Sequence, residues 1–320
     1  MEKNLLSVIV LAYGHNDLLY ETLDSVFMQN YPAIELIVAE DGSPDFVKEP
    51  VEEYITRHAK QNITNSQIIV QQNNVGTVRN INNALKSSNG EYIKIIAGDD
   101  TYPADDVFSA QVDYLKSHPD VPLVVGNVAQ CDHKLKPLSV NGFAPDQKDK
   151  LIGNNEKLLR YICKKNPVLL ATQAICYTRS FFVQNGLFDQ RCRLVEDLPM
   201  AIKIITSNIK FGYMDMVCVN HRGDVGISTS SNAFDSRKIA YYTDLKNYYE
   251  NCIVPIKSSV GRLFTTMRYK LMCFRISYTN PDLKLTDKIC LLAKYSIPIL
   301  YYTISKFARV KFYLQKDNKK

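Results

Sequence analysis

Hydrophobic and polar residues follow two different spacings along the first 130 residues of the chain. Continuous apolar runs occur at "LSVIVLA" (6–12), "IELIVAE" (34–40), "QIIV" (67–70), "YIKIIAG" (92–98) and "VPLVVGNV" (121–128). Such runs are typical of strands that are buried on both faces of a parallel sheet. Between them, apolar residues recur at helical spacing and predict helices after Asn16 and over 47–60, 78–87 and 103–118, the last with Pro103 near its start. This alternation predicts right-handed βαβ units in a mainly parallel sheet flanked by helices.

The periodic pattern is weaker after residue 128. Residues 131–152 are predicted to form a polar loop, and helices are predicted over 154–164, 179–185 and 195–207. A strand is expected around "FGYMDMVCV" (211–219), and from about 232 the pattern is mostly helical, with many Tyr and Lys residues. We therefore predict an α/β domain over residues 1–230 and a helical C-terminal extension over 231–320.

Polar residues follow three of the predicted strands at the point where each strand ends. They are Tyr13–Asn16 after the first strand, Glu40–Asp41 after the second and Asp99–Asp100 after the fourth. In open α/β sheets, ligands bind outside the carboxyl ends of the strands. We therefore expect these residues to line a common ligand site.

Two pairs of adjacent acids are candidates for chemistry. Asp99 and Asp100 offer the hard carboxylate oxygens that suit Mg²⁺ or Mn²⁺ bound together with phosphate, although one of them could instead cap the helix near Pro103. Glu196 and Asp197 directly precede a predicted helix. They could cap that helix or supply a general base for a hydroxyl acceptor.

Two basic features could bind phosphate. Arg79 lies at the start of a predicted helix, where a guanidinium and a helix N-terminus together favour an anion, or where it could form an ordinary surface salt bridge. The segment "HRGDVGIS" (221–228) is predicted to be a Gly-rich polar loop that holds a phosphate or only makes a turn. The sequence contains no P-loop and no G-x-G-x-x-G, G-x-S-x-G or H-E-x-x-H motif.

Charge and cysteine content suggest where the chain works. The net charge is +6, but residues 257–320 alone carry 14 Lys and Arg against three Asp and Glu, so the rest is slightly acidic. A basic C-terminal region is expected to meet an anionic surface or to be a solvated end. The eight cysteines are scattered without CxxC pairs or zinc-like spacing, and the N-terminus lacks the features of a signal peptide. We expect a cytoplasmic protein with reduced thiols.

Taken in order, several segments resemble family 2 glycosyltransferases of the GT-A fold. They are "SVIVLAYGHNDLLYETLDSVFMQNYPAIELIVAEDGSPD", "NNVGTVRNINNALKSSNGEYIKIIAGDD", "GLFDQRCRLVEDLPM" and "HRGDVGIS", and together they extend over about residues 5–230. Gly98 stands where some members carry an additional Asp, and Glu40 stands where Asp is commoner. The resemblance implies a GT-A-like nucleotide-binding fold in an enzyme that builds a bacterial surface polysaccharide such as O-antigen, capsule or exopolysaccharide.

The resemblance also implies roles for individual residues. Asp100 would ligate a Mg²⁺ or Mn²⁺ ion that bridges the donor diphosphate, and Asp99, also part of the implied metal site, would hold ribose or sugar hydroxyls. Asp197 would be the catalytic base, with Glu196 near the acceptor. The implied donor-binding residues are Ala12, Tyr13, Glu40, Asp41, Arg79, Asp99, His221 and Arg222.

These roles imply an inverting transfer from a nucleoside diphosphate sugar, expected to be a UDP-sugar, to a hydroxyl of a saccharide acceptor. The acceptor is expected to be linked to a lipid such as undecaprenyl diphosphate, and no nucleic-acid partner is expected. The segment "KICLLAKYSIPILYYTISKFARVKFYLQK" (288–316) is interrupted by lysines and a proline, which favours an interfacial element at an anionic membrane over a spanning helix. Packing of this segment on the catalytic domain is the alternative. A non-catalytic nucleotide-sugar-binding subunit and a nucleotidyltransferase remain alternative functions.

Overall fold

The structure, a computed structural model, describes residues 1–14, 16–143, 145–165, 169–223, 236–256, 262–278, 283–300 and 303. The chain divides into two compact units. The first consists of residues 1–159 and 167–231, and the second of residues 160–166 and 232–320.

One sheet organises the first unit. Its strands are β1 (Glu2–Ala12), β2 (Ile34–Glu40), β3 (Ile63–Val70), β4 (Gly90–Ala97), β5 (Leu123–Cys131), β6 (Pro137–Asn141), β7 (Ile175–Thr178) and β8 (Gly212–Arg222). They lie in the order β3-β2-β1-β4-β7-β5-β6, and β8 also pairs with β5. The first four strands and the β5–β8 pair are parallel, whereas β7 is antiparallel to β4 and β5, and β6 is antiparallel to β5.

Helices connect and flank these strands. They are α1 (Asn16–Phe27), α2 (Lys48–His58), α3 (Thr77–Ser87), α4 (Val107–Ser117), α5 (Pro145–Leu151), α6 (Asn155–Lys165), α7 (Arg179–Asn185) and α8 (Asp197–Thr206). A short 3₁₀ helix, Thr172–Ala174, precedes β7. The predicted class, an α/β fold with a helix-flanked and mainly parallel central sheet, is confirmed.

The continuous apolar runs form the core because these strands are covered on both faces. Every side chain of β2 is buried, and Val8, Ile9 and Val10 of β1 are fully buried. Burying an aliphatic side chain of this size contributes about 1.5–3 kcal/mol relative to leaving it exposed. Lys94 of β4 is also buried, and its burial lowers the pKa of its side chain. The Lys94 nitrogen donates a hydrogen bond to Gln111 Oε1 at 2.6 Å.

Three corrections concern local structure. Residues 131–152 do not form only a loop, because they include β6 and α5. The strand β7, only four residues long, was not predicted although it joins β4 to β5. The helix expected to begin near Pro103 begins at Val107, because the Ala104 and Asp105 carbonyls accept hydrogen bonds from Gln29 and Asn30.

A fourth correction concerns "HRGDVGIS". His221 and Arg222 are the last residues of β8 rather than part of a loop, and the amide of Gly223 still donates to the Cys131 carbonyl at 3.0 Å. Residues 224–228 of this predicted loop lie outside the described residues.

The second unit is helical where it is described. It contains α9 (Ser236–Tyr248), a short π-helix (Tyr249–Ile253), α10 (Arg262–Tyr278) and α11 (Leu285–Lys294). These helices confirm the predicted C-terminal helical extension, whereas most of the basic tail, residues 304–320, lies outside the described residues. Within the part of the chain that the structure describes, every helix is too short or too polar to span a bilayer.

Candidate active site

The acid pair after β4 lies at the carboxyl edge of the sheet, with Asp100 turned inward. The Asp100 side chain is 1% exposed, and its Oδ1 accepts a hydrogen bond from the Arg222 amide at 2.8 Å. The Thr22 hydroxyl of α1 donates to the Asp100 carbonyl at 2.7 Å. Asp100 is thus held in place by α1 and β8 and does not cap α4, whose N-cap residue, Asp106, forms no side-chain capping bond.

His221 faces Asp100 from the end of β8. Its Nδ1 lies 3.1 Å from Asp100 Oδ1 and 3.2 Å from Oδ2. The hydrogen bond to Asp100 raises the pKa of His221, and burial opposes this increase. A bridge between Thr101 and Asn220, with amide–carbonyl distances of 3.1 and 2.8 Å, fixes the end of β4 against β8 and therefore fixes this pair.

Arg222, at the end of β8, connects that strand to three other segments around the acid pair: the end of β4, the turn between β5 and β6, and α1. Its guanidinium donates to the Asp99 carbonyl at 2.8 Å, the His133 carbonyl at 2.6 Å and the Glu21 carboxylate at 2.7 Å. The side chain is only 3% exposed. These contacts favour a structural role for the guanidinium, and binding of a donor by Arg222 stays a prediction.

The second acid pair begins α8. Glu196 is the N-cap residue but forms no side-chain capping bond, so the capping alternative does not describe it. Burial and the charge of Asp197 raise the pKa of Glu196 to about 8. Burial also raises the pKa of Asp197, but the Leu198 amide and the charge of His221 act in the opposite direction. Asp197 is therefore better placed to carry the negative charge of the pair.

Electrostatic contacts link the acid pairs through His221. The charge of Asp197 contributes to the raised pKa of His221, as do the charges of Asp100 and Asp99. The fold thus brings together two acid pairs that are almost one hundred residues apart in sequence. We call Asp99, Asp100, Glu196, Asp197 and His221 the acid cluster.

Tyr177 of β7 lies near the acid cluster and was missed by the sequence analysis. Its side chain is fully buried, and burial followed by the charge of Glu196 raises its pKa well above the usual range. The residue belongs to a short apolar strand, so its neighbours in sequence give no sign of polar chemistry. Only the antiparallel insertion of β7 beside β4 reveals its position.

The turn after β2 is organised by two buried carboxylates. Glu40 accepts hydrogen bonds from the amides of Gly42 and Ser43, both at 2.8 Å, and from the Ser43 hydroxyl. The Ser43 hydroxyl in turn accepts the Gly14 amide at 2.9 Å, which ties the ends of β1 and β2 together. Gly42 has φ +74°, and a Cβ there would approach the Asn73 carbonyl carbon to 2.5 Å, so glycine is required.

Asp41 anchors the loop that leads into α3. Its two carboxylate oxygens accept the amides of Val75 at 2.8 Å and Gly76 at 2.9 Å. Burial raises the pKa of Asp41, while these amides and the charge of Arg193 oppose the change. Direct donor binding by Glu40 and Asp41 stays a prediction, because the described contacts of the Glu40 carboxylate are with its own turn and those of the Asp41 carboxylate are with the loop before α3.

The remaining predicted donor residues surround this turn. Ala12 is buried and its carbonyl accepts the Asp41 amide at 2.9 Å, whereas Tyr13 is 52% exposed at the end of β1. Arg79 lies on the exposed side of α3. Arg193, which the sequence analysis did not select, donates to the Asn74 carbonyl at 3.0 Å, and its own carbonyl accepts the Val78 amide at 3.0 Å.

The acid cluster offers ligands for a divalent cation without forming a complete site. Among the residues that the structure describes, no three or more His, Cys, Asp and Glu side chains meet as a metal-binding group. Asp100 and His221 nevertheless place carboxylate oxygens and an imidazole nitrogen side by side, with Asp99 adjacent. Mg²⁺ and Mn²⁺ favour oxygen ligands and commonly take several from phosphate and water. These residues therefore fit a cation that is held jointly with a diphosphate.

Comparisons with known proteins identify the family of this chain. Residues 7–183 match the model of the family described as Glycosyl transferase family 2. An Escherichia coli relative named UDP-Glc:alpha-D-GlcNAc-diphosphoundecaprenol beta-1,3-glucosyltransferase is 34% identical over 98 residues, which are 30% of this chain and 36% of the relative. The chain spans about half the length of the mycobacterial relatives that it matches.

Two solved structures share the fold. A mannosyltransferase of Pyrobaculum calidifontis, in complex with GDP-Man and Mn²⁺, has a TM-score of 0.59 and 18% identity, covering 97% of this chain and 84% of that chain. TarS 1–349 of S. aureus, in complex with UDP-GlcNAc, has a TM-score of 0.54 and 17% identity, and the match covers 91% of this chain and 80% of TarS 1–349. At these identities the likeness concerns the fold alone.

Proposed function

This chain belongs to glycosyl transferase family 2, and from that premise we propose that it transfers a sugar from a UDP-sugar to a hydroxyl of a saccharide acceptor with inversion at the anomeric carbon. The observation that carries the proposal is the acid cluster. One acid pair lies at the carboxyl edge of the sheet, where ligands of open α/β sheets bind, and the other places a carboxylate near the same histidine. A transferase of this kind needs both: stabilisation of the leaving group and a base for the acceptor.

The donor would bind where β1 and β2 end and α3 begins. Exposed Tyr13 offers a ring against which a base could stack, and Glu40 and Asp41 hold the two loops that frame the base. Arg79, on the exposed side of α3, would contact the base or diphosphate. The TarS structure contains UDP-GlcNAc and the mannosyltransferase contains GDP-Man, which supports a nucleoside diphosphate sugar as the donor class.

A divalent cation, Mg²⁺ or Mn²⁺, would be held by Asp100 and His221, with Asp99 beside it and phosphate oxygens completing the ligand set. It would supply Lewis-acid stabilisation of the charge that develops on the leaving diphosphate. For His221 to act as a ligand, its Nδ1 must be free of a proton. The mannosyltransferase complex contains Mn²⁺, which supports divalent cation use in this fold.

The acceptor side of the reaction would depend on Asp197. Its carboxylate would take the proton from the acceptor hydroxyl as that oxygen attacks the anomeric carbon, while the bond from this carbon to the diphosphate oxygen breaks. Attack on the face opposite the leaving group inverts the anomeric centre in one step, as in inverting glycosidases. Glu196, with a pKa of about 8, would stay protonated near pH 7 and could donate a hydrogen bond to the acceptor.

The proposed acceptor is a lipid-linked saccharide of a bacterial surface polysaccharide. The name of the Escherichia coli relative specifies a diphosphoundecaprenol acceptor and a β-linked product. Another relative, from Bacillus subtilis, is named a minor teichoic acid biosynthesis protein. The first name supports a lipid-linked acceptor and the second supports the synthesis of a bacterial surface polymer, and we propose O-antigen, capsule or exopolysaccharide as that polymer.

The helix α11 supports peripheral binding to the inner face of the plasma membrane. Its apolar residues Leu285, Ile289 and Leu292 recur at helical spacing and are all exposed, and lysines flank them at positions 284, 288 and 294. An exposed apolar stripe flanked by lysines is typical of helices that lie in the interface of an anionic membrane. The proposed cellular location is therefore cytoplasmic and peripheral.

Sedimentation with vesicles tests this location. The chain should sediment with phosphatidylglycerol vesicles at low salt and be released at high salt. Replacing both Ile289 and Leu292 by Ser should abolish sedimentation, whereas Val183→Ser, on an exposed position of α7, should not. A chain that stays in the supernatant at low salt would contradict membrane binding.

A thermal-shift panel followed by product analysis tests the proposed activity. UDP, GDP and their sugars would be tested with and without Mn²⁺, and the correct donor should raise the melting temperature through binding to the folded state. The selected donor would then be incubated with lipid-linked and soluble glycoside acceptors. Donor binding without any transfer or donor hydrolysis would favour the non-catalytic subunit, and release of inorganic diphosphate from UTP in the presence of a sugar 1-phosphate would favour a nucleotidyltransferase.

A further inference from the structure

A hairpin beside the acid cluster carries exposed positive charge on a fixed turn. The hairpin joins β5 to β6, and Asp132 organises its turn by accepting the amides of Lys134 at 2.8 Å and Lys136 at 2.9 Å. Leu135, with φ +60°, is the corner residue. The carboxylate of Asp132 therefore satisfies backbone amides, while the side chains of His133, Lys134 and Lys136 are exposed.

The turn is tied directly to the acid cluster. The His133 carbonyl accepts the Arg222 guanidinium at 2.6 Å, and the same arginine's amide donates to the Asp100 carboxylate at 2.8 Å. Gly223 also donates to the Cys131 carbonyl at 3.0 Å. In the sheet order, β5 and β6 lie on the opposite side of β4 from β1 and β2, so the hairpin is away from the proposed base-binding loops.

The strand that follows the turn adds apolar surface. β6 is at one end of the sheet order, and all five of its residues are exposed. Leu138 is 69% exposed and Val140 is 56% exposed, and they lie on the same face because they are two residues apart in a strand. Basic residues followed by exposed aliphatic residues match a ligand that carries an anionic group joined to a hydrocarbon chain.

We propose that this hairpin, residues 132–140, binds the diphosphate and the adjoining hydrocarbon of a lipid-linked acceptor. Lys134 and Lys136 contact the diphosphate, and Leu138 and Val140 contact the first part of the lipid chain. The hairpin therefore presents the attached saccharide to Asp197 from the side opposite the donor base. This inference rests on the proposed function, because it assigns a surface to the acceptor of that reaction.

Farnesyl diphosphate is a water-soluble probe for this surface. Binding would be measured by calorimetry with the donor site saturated by UDP and Mn²⁺, so that the probe cannot occupy it. The wild-type chain should bind farnesyl diphosphate, and Lys134→Ser/Lys136→Ser should bind it about 25-fold more weakly, since each lysine near an anion contributes about a fivefold factor. The fold should survive because the backbone amides, not the lysine side chains, contact Asp132.

Matched variants control for charge and for apolar surface. Lys60→Ser/Lys86→Ser removes the same charge from two exposed positions, one just before β3 and one in the last turn of α3, and should leave binding unchanged. Leu138→Ser/Val140→Ser should weaken binding of farnesyl diphosphate but not of inorganic diphosphate, whereas Val183→Ser should change neither. Circular dichroism would verify that each variant is folded.

The outcomes separate this inference from the proposed function. Any one of three results would overturn the inference. They are no binding of farnesyl diphosphate by the wild-type chain, equal losses of affinity in the two lysine double variants, and equal binding of farnesol and farnesyl diphosphate. A chain that binds UDP and transfers sugar to a soluble glycoside, yet shows one of those results, would keep the proposed function and lose only the hairpin. Failure to bind any nucleotide would instead count against the proposed function.

Discussion

Replacing Glu196 by Gln removes one proton-binding group from the acid cluster while keeping nearly the same side-chain volume. The Glu196 carboxyl is half-buried next to Asp197 at the start of α8. Burial and the charge of Asp197 raise the pKa of Glu196 from 4.5 to about 8. The folded chain therefore holds this proton over a pH range in which the unfolded chain has already released it.

The sign of the effect follows from proton linkage. The stability that the protonated carboxyl provides is fully present below about pH 4.5 and is lost as the pH rises through about 8. A shift of this size would correspond to about 5 kcal/mol at about 1.36 kcal/mol per pKa unit. Because the side chain keeps some contact with water, we expect a loss of about 2–3 kcal/mol between pH 5 and pH 9 in the wild-type chain.

Urea unfolding at several pH values, followed by circular dichroism, measures this loss. The free energy of unfolding of Glu196→Gln should fall less between pH 5 and pH 9 than that of the wild-type chain, and the difference should be about 2–3 kcal/mol. Glu53→Gln, which changes an exposed acid of α2, should follow the wild-type curve. Parallel curves for wild type and Glu196→Gln would refute a raised pKa at this position.

Three further predictions concern other charged groups. Asp100→Asn should abolish the Mn²⁺-dependent part of the donor-induced thermal shift, and a shift equal to that of the wild type would argue against a metal role. Arg222→Lys should lower the free energy of unfolding by about 2 kcal/mol or more in urea, because an ammonium cannot reach all three of its acceptors, and no loss would contradict the bridging role. Lys94→Met should leave the free energy of unfolding unchanged or raise it by about 1 kcal/mol, most strongly at low pH, because burial disfavours the charged ammonium. A loss of stability above about 2 kcal/mol would show that the hydrogen bond from Lys94 to Gln111 contributes more than burial costs.

The sequence was sufficient to predict the strands that form the core. β1, β2, β4 and β5 are covered on both faces, so their apolar runs have the length and continuity of buried parallel strands. β6 and β7 could not be predicted in the same way. The side chains of β6 are all exposed, and β7 is only four residues long, so neither has an informative hydrophobic pattern.

The sequence also indicated the position of the acids of the candidate site, because strand ends and helix starts place them at the edge of the sheet. The residues that these acids contact in the folded chain could not be recognised from the sequence. Pairing of β8 with β5 brings His221 to Asp100, and no local pattern encodes a pairing between segments separated by about ninety residues. Arg222 was predicted to bind the donor, but its reach to α1 and to the β5–β6 hairpin depends on the same pairing.

Asp41 shows a different limit of sequence reasoning. A carboxylate after a strand predicts ligand binding and loop anchoring equally well, because both need an acceptor for N–H groups. The structure shows the second use, with both oxygens occupied by the amides of Val75 and Gly76. To choose between ligand binding and loop anchoring, one needs the position of the loop before α3, and that position depends on tertiary packing.

Asp197 is the residue on which the proposed transfer depends most directly. The measurement is a single-turnover assay of sugar transfer by Asp197→Asn, with donor affinity measured in parallel by calorimetry. The amide keeps the shape and can still accept a hydrogen bond from the Leu198 amide, but it cannot take the acceptor proton. We predict that transfer falls by a factor of about 10² or more while donor affinity changes less than about threefold. Unchanged transfer, or a loss confined to donor affinity, would contradict the role of Asp197 as the base.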